Sequence, residues 1–264
     1  MRQERLYRAE GIVLREVDYA EVDRILTLLT PGGKLVALAR GIRRITSRRA
    51  GHLGLFHRAR IMLARGHNMD IVTQAECLEE FEGIRGDLLR FTYACYVGEL
   101  AERFAQEGED NQPLYELMVH TLRQLSQERD PRLWVRYFEL RLLANSGYRP
   151  ELFTCAQCHE PIRPVVNFFS LAQGGVLCSH CGQSQPEAKA VSVNGQKVLR
   201  YLQTHEPAEV NALTLAESTH SEVESLLQSY LEFTIERELK SAAFLQRLRR
   251  ELRAAEKARP SATE

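Results

Sequence analysis

No apolar run in these 264 residues approaches the roughly 18 to 20 residues that a membrane-spanning helix needs. The first residues, Met1-Arg2-Gln3-Glu4-Arg5, lead into strand-like alternation rather than the apolar core of a signal peptide, so a cytoplasmic protein with no membrane partner is expected. Common catalytic signatures are missing as well. There is no His-Glu-x-x-His, no Gly-x-Ser-x-Gly and no paired-carboxylate arrangement, and Pro31-Gly32-Gly33-Lys34 is followed by Leu35 where a phosphate loop needs Ser or Thr. A non-enzymatic protein is therefore expected. Cysteine is sparse, with only 6 in the chain, which excludes a disulfide-dense secreted scaffold and fits a reducing compartment. Net charge is zero, but one absence breaks its evenness: between Asp23 and Asp70 there is no carboxylate at all.

What is present begins with four of those cysteines. Cys155-x-x-Cys158, nineteen residues, then Cys178-x-x-Cys181 is the spacing of one tetrahedral zinc site, each close pair gripping the metal from a tight turn. Val165-Val166-Asn167-Phe168-Phe169 reads as a short strand and Gly174-Gly175 turns the chain back, so a zinc ribbon over 153–184 is predicted. Four thiolates fill the shell and leave no place for an activated water, which makes one structural Zn2+ the expected cofactor. His159 and His180 touch the motif and are the alternative ligands; a disulfide pair is the alternative use of the thiols. Cys77 and Cys95 lie in apolar patterns and read as small buried hydrophobes.

The carboxylate-free interval holds ten basic residues, whereas Glu76 to Asp110 carries ten acids against three arginines. Charge segregated in this way makes the whole-chain pI of little use. Within the basic interval, Ala39-Arg40-Gly41-Ile42-Arg43-Arg44-Ile45-Thr46-Ser47-Arg48-Arg49 places five arginines on a predicted loop. Guanidinium forks and small hydroxyls of this kind suit phosphate oxygens. The candidate DNA-binding residues are Lys34, Arg40, Arg43, Arg44, Arg48 and Arg49, with Arg58, Arg60 and Arg65 in second rank. Aromatic stacking partners are few, Tyr19 and Phe56 being the candidates. The competing reading is a basic loop that docks an acidic protein partner on a zinc-stabilised scaffold.

The fold class expected is α+β and multidomain. Strands are predicted over Tyr7 to Val17, Ile25 to Leu29, Leu35 to Ala39, Phe56 to Ala64 and Ile71 to Cys77, the number and spacing of a five-stranded OB-type barrel at 1–80. After Gly86 the apolar period changes to 3.6, which marks a mainly helical domain over 81–264 interrupted by the ribbon. Asp130-Pro131 has the form of an N-cap with proline in the first helical position. Thr219-x-x-Glu222 resembles a capping box that opens one long helix through Leu226, Tyr230, Leu239 and Leu248. That helix ends in Arg247, Arg249, Arg250 and Arg253, with Lys257 and Arg259 beyond. A disordered tail is expected from about 256.

Gly11-Ile12-Val13-Leu14-Arg15, Asp18-Tyr19-Ala20-Glu21, Asp23-Arg24-Ile25, Leu28-Leu29-Thr30, Gly33-Lys34, the arginine loop and the late Leu239-Lys240-Ser241-x-x-Phe244-Leu245 together resemble the bacterial RecO family of recombination mediators. The likeness runs over about residues 8 to 250, and the order of parts is what carries it. Ala20 and Val22 stand where that family often has Gly and Ser, and Leu55 replaces a common proline, which affects turns more than charge. The four cysteines are not found in every member. The resemblance implies a DNA repair and recombination protein that binds single- and double-stranded DNA and anneals complementary strands. It further implies work with RecR to load RecA on coated DNA, contact with the acidic C-terminal tail of the single-stranded DNA-binding protein, and a nucleoid-associated place in the cytoplasm.

Overall fold

The computed structural model describes residues 5–108, 110–127, 130–237 and 239–258. It falls into two compact units, Met1–Gln127 and Glu128–Glu264.

In the first unit, β1 (Leu6–Tyr19), β2 (Asp23–Thr30), β3 (Gly33–Ala39), β4 (Arg58–Ala64) and β5 (Asp70–Glu79) close into a barrel of order β1-β2-β3-β5-β4. Only β3 and β5 run parallel. β1 is long enough to pair with β4 through its first half and β2 through its second, and its register slips between Val13 and Arg15. A bulge there bends the strand from one pairing to the next. Alternation sets the two faces: Ala59, Ile61 and Leu63 join Val13, Leu26, Leu28, Ala37 and Val72 in the core, while Arg58, Arg60 and Met62 face out. The long β3–β4 connection is rooted in the same core by Ile42 and Leu53, 3% and 1% exposed. All five strands expected from the sequence are present, with ends shifted by a few residues.

Three helices complete this unit: α1 (Glu82–Arg85), α2 (Leu88–Phe104) and α3 (Gln112–Gln127). Asp87 caps α2 by accepting from the N–H groups of Leu89 and Arg90 at 2.8 and 3.0 Å. Tyr93, Tyr96 and Leu100 of α2 and Leu114, Met118, Leu122 and Leu125 of α3 are buried, in keeping with the 3.6-residue apolar period after Gly86. Phe56 is buried too, edge-on to Phe91 at 5.9 Å, so it is core material and not a stacking platform.

The second unit opens with α4 (Pro131–Asn145), capped by Asp130 with proline in the first turn, as the sequence predicts. A small sheet of order β7-β6-β8 follows, made of β6 (Asn167–Ser170), β7 (Gly175–Leu177) and β8 (Lys189–Val191), with α5 (Ser179–Gln183) between the last two. Then come α6 (Val193–Thr204), α7 (Pro207–Val210), α8 (Glu217–Ile235) and α9 (Lys240–Ala258). The single long helix expected from the sequence is instead two, and Thr219 and Glu222 do not form the expected capping box. α8 starts at Glu217 after Ala216, Thr219 lies inside it, and Glu222 accepts from the Ser192 N–H and hydroxyl, both at 2.6 Å. The chain then breaks at Glu236, whose φ of 52° is left-handed, before α9 begins. α9 continues to Ala258, past the expected start of the tail; the rest of that tail and Arg259 lie outside the described residues, and so do the side chains of Arg253 and Lys257. Among the described residues no helix is long and apolar enough to cross a membrane.

Candidate nucleic-acid and metal sites

The strand pairings put carboxylates beside several of the predicted cations. The β1–β2 hairpin sets Asp18 opposite Arg24, and Arg24 binds both Asp18 (2.9 Å) and Glu16 (2.5 Å). Arg58 reaches Glu10 at 2.7 Å and Glu79 at 3.5 Å, and Tyr115 of α3 donates to the same Glu10 oxygen at 2.8 Å. Arg123 clasps Glu79 with two bonds of 2.7 and 2.8 Å. This network ties α3 to the barrel wall. Burial and the bond to Glu10 push the Tyr115 hydroxyl up to about 12. Burial alone would raise Glu10, but the Arg58 and Tyr115 hydrogen bonds outweigh it and hold its carboxyl below the usual range. Arg60 pairs with Glu76 at 3.1 Å, and Arg65 lies over the Tyr7 ring at 4.9 Å. The second-rank cations are thus engaged along the barrel wall. Lys34 sits at the far end of β3, and six residues at roughly 3.3 Å each separate it from Arg40 by about 20 Å.

The loop from Arg40 to Arg49 is different. Its first residues are held by two hydrogen bonds, Gly41 N–H to the Asp23 carboxylate at 2.6 Å and Arg43 N–H to the Val22 carbonyl at 2.9 Å. Gly41 takes φ +64°, a conformation a side chain would strain. The Arg49 guanidinium donates to the carbonyls of Val72 and Arg40, so it is a strut of the loop. Arg43 keeps part of its surface but reaches Asp18 at 3.4 Å. Arg40, Arg44 and Arg48 are exposed, and among the described residues none of them forms an ion pair. Together with the β1–β2 turn and residues 73–75 of β5 they line an open groove of about 970 Å³. Glu21 and Asp23 also line it, Asp23 being occupied by Gly41. Tyr19, 52% exposed, ends β1 just before that turn and offers a ring to a base.

The cysteines converge as their spacing predicts. All four sulfurs lie within 4.8 Å of one another, with Cys155 and Cys181 buried and Cys158 exposed. The first pair sits in a turn in which Cys155 O accepts from His159 N–H at 2.9 Å, His159 taking φ 62°; Ala156 N–H is bonded to Val176 O, which docks this turn on β7. The second pair begins α5, where Cys178 Sγ accepts from Cys181 N–H at 3.5 Å. Burial would raise Cys155, but the backbone N–H groups of Cys158, Cys178 and Gln157 prevail and bring it down to about 6, whereas the neighbouring Cys178 thiol pushes Cys181 up to about 12. Cys158 and Cys178 sulfurs stand 3.9 Å apart, too far for a disulfide of about 2.05 Å. The cluster is built to hold a metal ion, and neither His159 nor His180 belongs to it. His57, Cys77 and Glu80 also come together, but His57 Nδ1, the nitrogen that faces Cys77 Sγ at 3.7 Å, accepts from the Gly54 N–H at 3.3 Å, and the Arg85 guanidinium lies against Nε2. Cys77 and Cys95 are half-buried rather than fully enclosed, and burial pushes the Cys95 thiol up to about 11.

Fold and sites together define an OB-barrel protein with a cationic loop in one unit and a four-cysteine metal site in the other. The family model described as Recombination protein O N terminal matches residues 1–81, and that described as Recombination protein O C terminal matches residues 85–243. Over 252 residues the chain is 41% identical to the DNA repair protein RecO of Roseiflexus sp., covering 95% of this chain and 89% of that relative. It is 37% identical to its counterpart in Dehalococcoides mccartyi (92% and 96% covered) and 41% identical to that of Desulforudis audaxviator (92% and 97% covered). The chain belongs to the RecO family of DNA repair and recombination proteins.

Proposed function

We infer that this is a non-catalytic recombination mediator that binds single- and double-stranded DNA through the barrel of residues 1–80 and anneals complementary strands. The observation that carries the reading is the set of exposed arginines at 40, 44 and 48, without an ion pair among the described residues, on a loop that Arg49 and Asp23 tie by hydrogen bonds. Two complementary strands repel as polyanions, and a cationic groove that neutralises both lowers the barrier to their encounter without a covalent step. Contacts made to phosphate give little sequence preference. Membership of the RecO family supports the rest of the role: action with RecR in loading RecA, and contact with the acidic tail of the single-stranded DNA-binding protein, in the cytoplasm and on the nucleoid.

The metal is one structural Zn2+ per chain held by Cys155, Cys158, Cys178 and Cys181. A tetrahedron with Zn–S of about 2.3 Å has sulfur–sulfur edges of about 3.8 Å, and the Cys158–Cys178 separation is 3.9 Å. Bound zinc would tie the turn at 155–159 to the start of α5 within the helical region 81–264; it has no open position for chemistry.

Strand annealing tests the function. Complementary labelled oligonucleotides should pair faster with the protein than alone, and the triple variant R40A/R44A/R48A should lose most of that acceleration. Wild-type annealing no faster than the protein-free rate, or binding to an acidic peptide without binding to bare oligonucleotide, would overturn the reading in favour of a docking scaffold.

A further inference from the structure

The arginine loop carries one side chain that its phosphate-binding role does not use. Ile45 is fully exposed, at 106% of the reference surface. It is the first central residue of a turn closed by Ser47 N–H donating to Arg44 O at 2.9 Å. Turn apices favour Gly, Pro, Asn, Asp and Ser; a β-branched apolar residue gains nothing there from backbone geometry. Its neighbour in the same loop, Ile42, is 3% exposed and anchors the loop in the barrel core. Ile45 has no such task. Around it the loop offers only polar groups, exposed Arg43, Arg44, Thr46 and Arg48.

A single apolar point ringed by cations is a poor protein hot spot, which needs a packed patch shielded from water. It matches the device by which DNA-bending proteins insert one Ile, Leu, Met or Phe between base steps while arginines hold the flanking phosphates. The fixed loop adds what a wedge needs, because the bonds of Gly41, Arg43 and Arg49 keep the apex from folding back when it meets the stack.

We propose that Ile45 is a wedge that enters the base stack of duplex DNA and opens one step, with Arg44 and Arg48 on the adjoining phosphates. This rests on the loop being the DNA-binding element. An opened step is a place where a second strand begins to pair, so the wedge would give the annealing surface its point of entry. Flexible pyrimidine–purine steps would be opened most readily.

Inserting a side chain between base pairs unwinds the helix, and that is measurable without knowing the binding register. Closed circular plasmid is relaxed by a topoisomerase in the presence of saturating full-length protein, and the linking number is read on a gel after deproteinisation. Wild type should lower the linking number, and I45A at equal plasmid occupancy should lose most of that shift while keeping the same salt dependence of binding, since no phosphate contact is removed. I45W should retain it. An I45A shift equal to wild type, or occupancy by wild type with no shift at all, overturns the wedge and leaves the DNA-binding reading standing. Failure of wild type to occupy the plasmid overturns both. Loss of self-association in I45A without a linking-number effect would mark the apex as a protein contact and likewise overturn the wedge.

Discussion

Removing Arg40, Arg44 and Arg48 together should change how DNA binding depends on salt without changing how well the protein folds. These three side chains have no ion-pair partner among the described residues, so their loss breaks no ion pair there. If the four exposed arginines of the loop, these three and Arg43, each neutralise one phosphate, the slope of log affinity against log salt on single strands is about −2.8, and it falls to about −0.7 in R40A/R44A/R48A. Raising salt from about 50 to about 200 mM would then weaken wild-type binding about 50-fold and the variant's about 3-fold. Fluorescence anisotropy of a labelled oligonucleotide across a salt series reads both numbers. The control is Arg58→Ala. That change strands Glu10 beside Tyr115 and frees one side of Glu79. It should cost about 2 kcal/mol of stability, since hydrogen bonds to charged groups contribute roughly 1.5 to 3, or about 4 to 8 °C in Tm. The salt slope of Arg58→Ala should equal that of wild type. A triple variant that is folded and keeps the wild-type slope, or an Arg58→Ala slope that falls as far as the triple variant's, would refute the division of these cations into loop contacts and wall struts.

Strong chelation should release one zinc per chain, detected by elemental analysis, and melt much of the second unit's helical signal, because structural zinc contributes of order 10 kcal/mol to the segment it ties; Cys155→Ser should reproduce the loss, and a metal-free protein with unchanged circular dichroism would contradict it. Acid should weaken the first unit through Glu10. Its folded-state pKa lies below the unfolded value of about 4.3, so the stabilisation is complete above that pH and disappears as pH falls through the folded value. Glu10→Gln should therefore flatten the fall in Tm between about pH 5 and 3, with about 1 kcal/mol at stake for this partly exposed network; a Tm profile identical to wild type would show that other carboxylates govern acid unfolding.

Short-range patterns were the legible part of the fold. Alternation along 58–63 sorted arginines from core residues, and Asp130-Pro131 announced its cap, because both effects act within a few residues of chain. Thr219-x-x-Glu222 misled for the opposite reason. Glu222 is taken by Ser192, thirty residues away, and α8 begins two residues earlier on Glu217. The break at Glu236 carries no Gly or Pro to announce it. Of the sites, the convergence of the cysteine quartet could be read, since ligand spacing within each pair is local and the linker only has to be long enough. The cationic site could be read in part. Counting charge along the chain found the interval from Asp23 to Asp70 but not the antiparallel pairings that bring Glu10, Glu16, Asp18, Glu76 and Glu79 against Arg58, Arg24 and Arg60. Register was the missing information. The short β1–β2 turn held a clue to it, since folding the chain about residues 20–22 sets Asp18 opposite Arg24.

That pairing also explains how a chain of zero net charge can carry a local excess of positive charge. Whole-molecule charge governs long-range steering only weakly once salt screens beyond roughly 8 to 10 Å, so what a phosphate meets at contact is the local excess. Strands place their side chains in fixed cross-strand rows, and a cation there is readily matched by a carboxylate on the neighbouring strand, as Arg24, Arg58 and Arg60 are. A loop that leaves the sheet has no cross-strand row beside it, and Arg43 reaches a carboxylate, Asp18 at 3.4 Å, where the loop passes the β1–β2 turn. The arginines at 40, 44 and 48 stay unmatched because the chain has left the barrel at Ala39 and does not return to it until Arg58. Moving the same three arginines to strand positions opposite carboxylates would keep composition and pI unchanged and still abolish the site.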